Sequence, residues 1–238
     1  MSFPPPPLAS PHRRRLREIW RSAGWPCHDA LELDLLAAGL LARQWDDLGR
    51  ETLRVTDAGI ALLAAGRARH QAALSAHESL VALVALQMQR AGRIVWRGLA
   101  LRAPLPDEHG GTTWAVAMPD LFSIRHTTVE DYLEPVVHEI KVSRADLLAD
   151  LRRPAKGAAY AALAGQCWYV LRQGIARVDE VPAPYGVMFE QDGHLEVARP
   201  ACARPARLPF AVWMALAKAV PLPTEDDEPQ AGLAPAPG

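Results

Sequence analysis

Thr112-Thr113-Trp114-Ala115-Val116-Ala117-Met118-Pro119-Asp120-Leu121-Phe122, followed by Pro135-Val136-Val137-His138-Glu139-Ile140-Lys141-Val142, is the stretch whose reading decides the fold. Both segments are apolar runs of strand character that carry acids. Strand side chains alternate between faces, so Glu139 and Lys141 share one face with Val137. Val136, Ile140 and Val142 take the other, with His138 among them. Pro119 cannot donate to a ladder, so the first run is expected to bend, bulge or lose its pairing there. If the two runs pair as neighbours, Asp120 and Glu139 converge. Two carboxylates are hard oxygen ligands of the type that Mg2+ accepts while keeping waters. Lys141 could then hold and polarise a metal-bound water.

The chain has 238 residues and is 50% hydrophobic, enough for one large domain or two small ones with a substantial core. Lys plus Arg number 26 against 27 Asp plus Glu, a formal charge of -1. That balance gives no global support for nucleic-acid binding, so any basic surface must be local. Cys27, Cys167 and Cys202 are scattered without a CxxC pair, which argues against zinc and a disulfide framework and fits a reducing cytoplasm. No apolar run reaches membrane-spanning length. Pro4 to Pro7 and then Arg13-Arg14-Arg15 precede no apolar signal-peptide core.

The proline-rich residues 1 to 11 are expected to be disordered. Leu16, Ile19 and Trp20 fall at helical spacing, ended by Gly24 and Pro26. A second helical pattern covers residues 29 to 38 and closes at Gly39. Asp46-Asp47-Leu48-Gly49 suits a hairpin, and Leu53 to Gly59 leads into a helix. This order, over residues 12 to 70, resembles a winged helix, with one helix of the usual three missing. Glu32 and Asp34 stand on its second helix where a DNA-reading helix needs basic or amide groups. A helical prop or a dimer contact is the alternative for this region. Arg13, Arg14, Arg15, Arg17 and Arg21 form either a phosphate-contacting set or a solvated face.

A long helix is expected over residues 72 to 90, with Glu78 its one acid, and a strand over residues 94 to 101. Residues 104 to 111 read as a loop. Ser143 is a candidate N-cap for the helix that follows the Glu-x-Lys strand, and Pro154 breaks or restarts it. Later strands are expected around Cys167 to Leu171 and Tyr185 to Glu190. Asp192-Gly193 should turn a hairpin into His194 to Ala198. A last helix covers 208 to 220, and residues 221 to 238 are Pro-, Ala- and acid-rich, which predicts disorder.

Helix, strand, strand with Asp, strand with Glu-x-Lys, helix, strand is an order that resembles the PD-(D/E)XK nuclease superfamily. Pro119-Asp120 and Glu139-Ile140-Lys141 match its motif almost literally. Glu139 to Asp150, Cys167 to Val170 and Tyr185 to Met188 resemble the MmcB-like DNA repair group within it, over about residues 75 to 200. The resemblance implies an α/β fold with a restriction-endonuclease-like core over residues 71 to 220, a mixed central sheet flanked by helices. It implies that Asp120, Glu139 and the carbonyl of Ile140 bind Mg2+ or Mn2+, and that Lys141 orients or deprotonates the attacking water. Glu78 matches the acid that many members carry on the first core helix.

Blander readings stand beside these. Asp120 could cap a turn, Glu139 and Lys141 could be a surface pair, and Glu78 could be solvated. Lys156 and Tyr160, four apart, could face phosphate together or be a packed tyrosine beside a lysine. Arg144, Arg152 and Arg153 could line a DNA groove or be ordinary surface. His126 and His138 lack metal-ligand spacing and read as structural. The favoured expectation is a Mg2+-dependent deoxyribonuclease acting in repair, cytoplasmic and nucleoid-associated, with DNA and other repair proteins as partners. The rivals are a non-catalytic DNA-binding protein that keeps the fold, and a transcription regulator acting through residues 12 to 70.

Overall fold

The computed structural model describes residues 8 to 22 and 24 to 224. The chain divides into two compact units, Met1–Leu74 and Ser75–Gly238. Of the disordered segments expected over residues 1 to 11 and 221 to 238, residues 1 to 7 and 225 to 238 lie outside the described residues, whereas residues 221 to 224 are tied down: the Leu222 amide donates to the Val95 carbonyl and its side chain packs on the core.

In the first unit, helix α1 (Ser10–Arg21) buries His12, Leu16 and Ile19, an i, i+4, i+7 stripe that faces the core. It takes in the last two residues of the segment expected to be disordered, because Pro11 in the first turn costs no intrahelical bond. Helix α2 (Ala30–Ala37) starts at Asp29, whose side chain accepts from the Glu32 amide. Glu32 points inward, 2% exposed, and accepts from the amides of Cys27 and His28. Strands β1 (Leu41–Trp45) and β2 (Glu51–Val55) make an antiparallel hairpin. Leu16, Leu35, Leu41, Leu53 and Val55 meet in one core cluster. The order helix, helix, hairpin, helix is as expected, with one helix fewer than a winged helix has.

Helix α3 (Asp57–Arg90) is a single helix of 34 residues. The two helical patterns read around residues 57 and 72 are therefore one, and the unit boundary falls inside it. Alanine-rich sequence without proline carries the helix through Gly66, whose cost of about 1 kcal/mol is tolerated.

The second unit is α/β. Strands β3 (Arg93–Arg97), β4 (Leu101–Pro106), β5 (Thr112–Ala117), β6 (Leu121–Arg125) and β7 (Val136–Lys141) lead into helices α4 (Arg144–Leu151) and α5 (Pro154–Leu163). Strands β8 (Gln166–Arg172), β9 (Gly186–Gln191) and β10 (His194–Arg199) and helix α6 (Phe210–Lys218) complete it. Six strands form a mixed sheet in the order β10-β9-β8-β7-β6-β3. β7 and β8 are parallel, as are β8 and β9, whereas β6 runs antiparallel to β7.

Three expectations are not met. Residues 94 to 101 are not one strand: β3 ends at Arg97, Gly98 turns the chain at φ 56°, and β4 starts at Leu101. Thr112 to Phe122 is not one strand. Its proline divides it into β5, which pairs with β4 in a separate two-stranded sheet, and β6, which belongs to the main sheet. β4 also occupies part of the expected loop, through Pro106. Prolines are tolerated there because a two-stranded sheet has only edge strands. The Asp192-Gly193 turn is as expected, with φ of 52° and 79°, the type I′ geometry that suits a hairpin.

All six residues of β7 are buried. On one face Ile140 packs with Leu80, Val81 and Val84 of α3 and Val170 of β8. On the other, Val137 packs with Phe122 and with Ala159, Tyr160 and Leu163 of α5. His138 lies in the sheet with neither ring nitrogen bonded. Burial, and then the charge of Arg93, push its pKa down to about 3, so it is neutral.

Candidate active site

The face of β7 covered by α4 and α5 carries the charges. Glu139 is 4% exposed and Lys141 6% exposed, which rules out the surface pair considered from the sequence. The Glu139 carboxylate accepts from three donors. Its Oε1 accepts from Lys141 Nζ at 2.7 Å and from Lys156 Nζ at 2.5 Å, and its Oε2 from the Tyr160 hydroxyl at 2.7 Å. A second buried acid, Asp150 on α4, accepts from Lys156 Nζ at 2.5 Å and from the Tyr169 hydroxyl at 2.8 Å. Lys141 Nζ lies 3.9 Å from Asp150 and 3.5 Å from the exposed Asp146. Two buried carboxylates thus face two ammonium groups. Pairing of this kind is what lets such charges stay out of water at all.

The electrostatics follow. Burial alone depresses Lys141, but Glu139, Asp150 and Asp146 together raise its pKa above the ordinary lysine value. Burial alone raises Asp150; Lys156, Lys141 and Tyr169 outweigh it and lower its pKa. Tyr160 and Tyr169 are raised by burial and then by the carboxylates that they bond. Both remain neutral donors.

Asp120 reaches the cluster by another route. β6 pairs with β7 only as far as Leu121 opposite His138. Beyond that point Pro119 ends the ladder, and the Asp120 Oδ2 takes over by accepting from the Ile140 amide at 2.7 Å. The expected loss of pairing at Pro119 is therefore present, and the carboxylate lies beside the residue between Glu139 and Lys141. The other oxygen, Oδ1, is 3.4 Å from His77 Nε2 on α3. A strand residue turns its N–H and C=O to the same neighbour, so the Ile140 carbonyl also faces the Asp120 side.

The remaining candidates are placed differently. Glu78 is half-exposed and ion-paired with Arg97 on β3, so its neighbour His77, rather than Glu78, is the α3 residue against Asp120. Tyr160 does not face phosphate: it is 2% exposed and spent on Glu139. Lys156 does not pair with it toward solvent but bridges Glu139 and Asp150. Arg144 is held by Glu180 at 2.6 Å. Arg152 and Arg153 are exposed between α4 and α5.

Asp150, Tyr169 and His77 were missed from the sequence. Asp150 did leave a trace, since it falls three residues after Leu147 on the buried stripe of its helix. An acid on an apolar stripe needs a buried counter-charge. Among the described residues, no group of three or more His, Cys, Asp and Glu is arranged to hold a metal ion. The charges gathered on Glu139 are lysines.

No family model matches the chain, and no curated protein matches it. Among solved structures, a protein of unknown function from Silicibacter pomeroyi is similar at 17% identity, over 55% of this chain and 74% of its own, with a TM-score of 0.38. No helix among the described residues is long and apolar enough to cross a membrane.

Proposed function

We propose that the protein is a metal-dependent nuclease of the PD-(D/E)XK kind that hydrolyses DNA phosphodiester bonds, with DNA repair as its setting. The observation that carries the reading is the buried Glu139–Lys141 pair on a central strand, with Asp120 bonded to the amide of the residue between them. Asp120, Glu139 and the Ile140 carbonyl are the groups that would hold an ion. Two carboxylates and a carbonyl suit Mg2+ or Mn2+, hard cations that complete their shells with water. Among the described residues no group of three or more His, Cys, Asp and Glu gathers, so the two carboxylates and the carbonyl would leave the rest of the shell to water. The ion would supply a more acidic water and relief of charge at the phosphate.

The roles of the chain's own groups follow from their contacts. Lys141 carries a raised pKa and is charged at neutral pH, so it orients the water and offsets phosphate charge rather than taking a proton. Asp150 retains Lys156 when Glu139 turns to other partners, because Lys156 already bonds both acids. Tyr160 fixes the orientation of the Glu139 carboxylate. Arg152 and Arg153 remain available for phosphate, whereas Arg144 is engaged by Glu180.

One observation favours a second reading. Every near contact of the Glu139 carboxylate is already a lysine or tyrosine donor, as suits a non-catalytic protein that keeps the fold and binds DNA. A cleavage assay with Mg2+ and Mn2+ on single-stranded, duplex, nicked and branched DNA separates the two. The nuclease reading expects metal-dependent cleavage by the wild type. It expects Lys141→Ala to cleave about 100- to 1000-fold more slowly while still binding DNA. Cleavage by Lys141→Ala at the wild-type rate would contradict the assigned mechanism.

A further inference from the structure

In the first unit, α1 and the first part of α3 enclose a groove of about 970 Å³. Arg13, Arg17, Trp20 and Arg21 line one wall and Arg67 and Arg69 the other. The α1 residues follow an i, i+4, i+7, i+8 spacing, which brings them onto a single face. None of these five arginines has an acidic partner among the described residues, whereas Arg14 and Arg15 on the same helix pair with Glu18 and Asp29. No acid lines the groove. Its floor is apolar, formed in part by Ile60 and Leu63, and Trp20 is 56% exposed at its wall.

We propose that this groove binds a single-stranded nucleic acid, with phosphates between the arginines of the two walls and a base stacked on Trp20. Unpaired arginines facing one another across a concavity call for a polyanion that threads between them. From Arg13 to Arg21 the helix rises about 12 Å, a span that a short run of consecutive phosphates can bridge. Exposed tryptophan over an apolar floor is the stacking platform that unpaired bases use. A duplex keeps its bases stacked inside and offers Trp20 nothing. The groove is distinct from α2, where Glu32 is buried. The proposal does not rest on the nuclease reading.

The test is fluorescence anisotropy of the full chain with a labelled fifteen-nucleotide oligothymidylate in EDTA, where no cleavage or metal is involved. Its result therefore stands whether or not the acidic site hydrolyses DNA. Wild type should bind the oligonucleotide more tightly than a duplex of equal length or vesicles of phosphatidylglycerol. Trp20→Ala should weaken binding roughly five- to a hundredfold. The combined Arg13→Gln, Arg17→Gln, Arg67→Gln variant should lower the slope of log affinity against log salt by about 2. Arg14→Gln, on the paired side of α1, should leave the slope unchanged. Circular dichroism confirms folding, and the single Arg67→Gln, with a slope change of about 0.7, serves if the triple variant is impaired. The proposal is overturned if the triple and single variants keep the wild-type slope, if duplex or vesicles bind better, or if the wild type does not bind.

Discussion

On β7 the charged residues Glu139 and Lys141 are buried, and each is paired. On α1 the arginines that face the groove are exposed and have no acidic partner among the described residues, although Arg14 and Arg15 a turn away do. The difference follows from solvent. A buried charge without a partner costs several kcal/mol, so burial forces pairing and the contacts report on folding as much as on function. An exposed charge costs little unpaired, so a one-sided run of unpaired arginines is free to serve a ligand.

The comparison breaks most visibly at Glu139. Glu139→Ala leaves Lys141 and Lys156 with one acceptor fewer in a buried site and should lower unfolding stability by about 3–5 kcal/mol. Denaturant melts of the two proteins measure it, and a loss below 1 kcal/mol would mean that the cluster is wetter than its burial implies.

A buried group without a strong counter-charge should instead stay neutral. Cys167 is such a group: burial pushes its thiol from the ordinary 9.0 up to about 11, against a smaller opposing pull from Arg204. A pKa raised on folding adds stability that is whole below the unfolded value and is lost as pH climbs through the folded one. Between pH 9 and 11 the wild type should therefore lose up to about 2–3 kcal/mol that Cys167→Ala does not lose. Parallel stability curves over that window would show the thiol to be solvated.

The smallest effect belongs to the groove. Arg67 has no ion pair among the described residues, so Arg67→Gln should change stability by no more than about 0.5 kcal/mol. A larger loss would mark the arginine as structural rather than as a free contact.

Legibility in the sequence divides along the same line. Strand alternation placed Glu139 and Lys141 on one face, and Pro119 announced where pairing would fail and Asp120 would be released. Those are local consequences of backbone chemistry. Asp150 was not legible as a partner, because its role arises only when α4 folds over β7 and brings Lys156 and Tyr169 to it. Tyr160 was left between a phosphate-facing and a packed reading for the same reason, and the packed one holds: spacing of four from Lys156 fixes a shared helix side but not what that side meets. Pro119 marked where residues 112 to 122 would divide, but not that β5 would pair with β4 in one sheet and β6 with β3 in another, which is a long-range choice. The continuity of α3 was not legible either, because the charged and small residues between 66 and 71 break the apolar pattern while favourable helix propensity carries the helix through.

The proposed nuclease chemistry requires the acids beside Lys141 to hold a divalent ion. Titration of Mn2+ into the full chain, followed by calorimetry, tests it directly. The account predicts binding by the wild type, binding retained in Lys141→Ala, and at least about tenfold weaker binding in a folded Glu139→Gln, which keeps the shape and removes a ligand charge. A wild type that takes up no Mn2+, or a Glu139→Gln that binds it as the wild type does, would contradict the claim and leave the buried cluster as a structural ion-pair network.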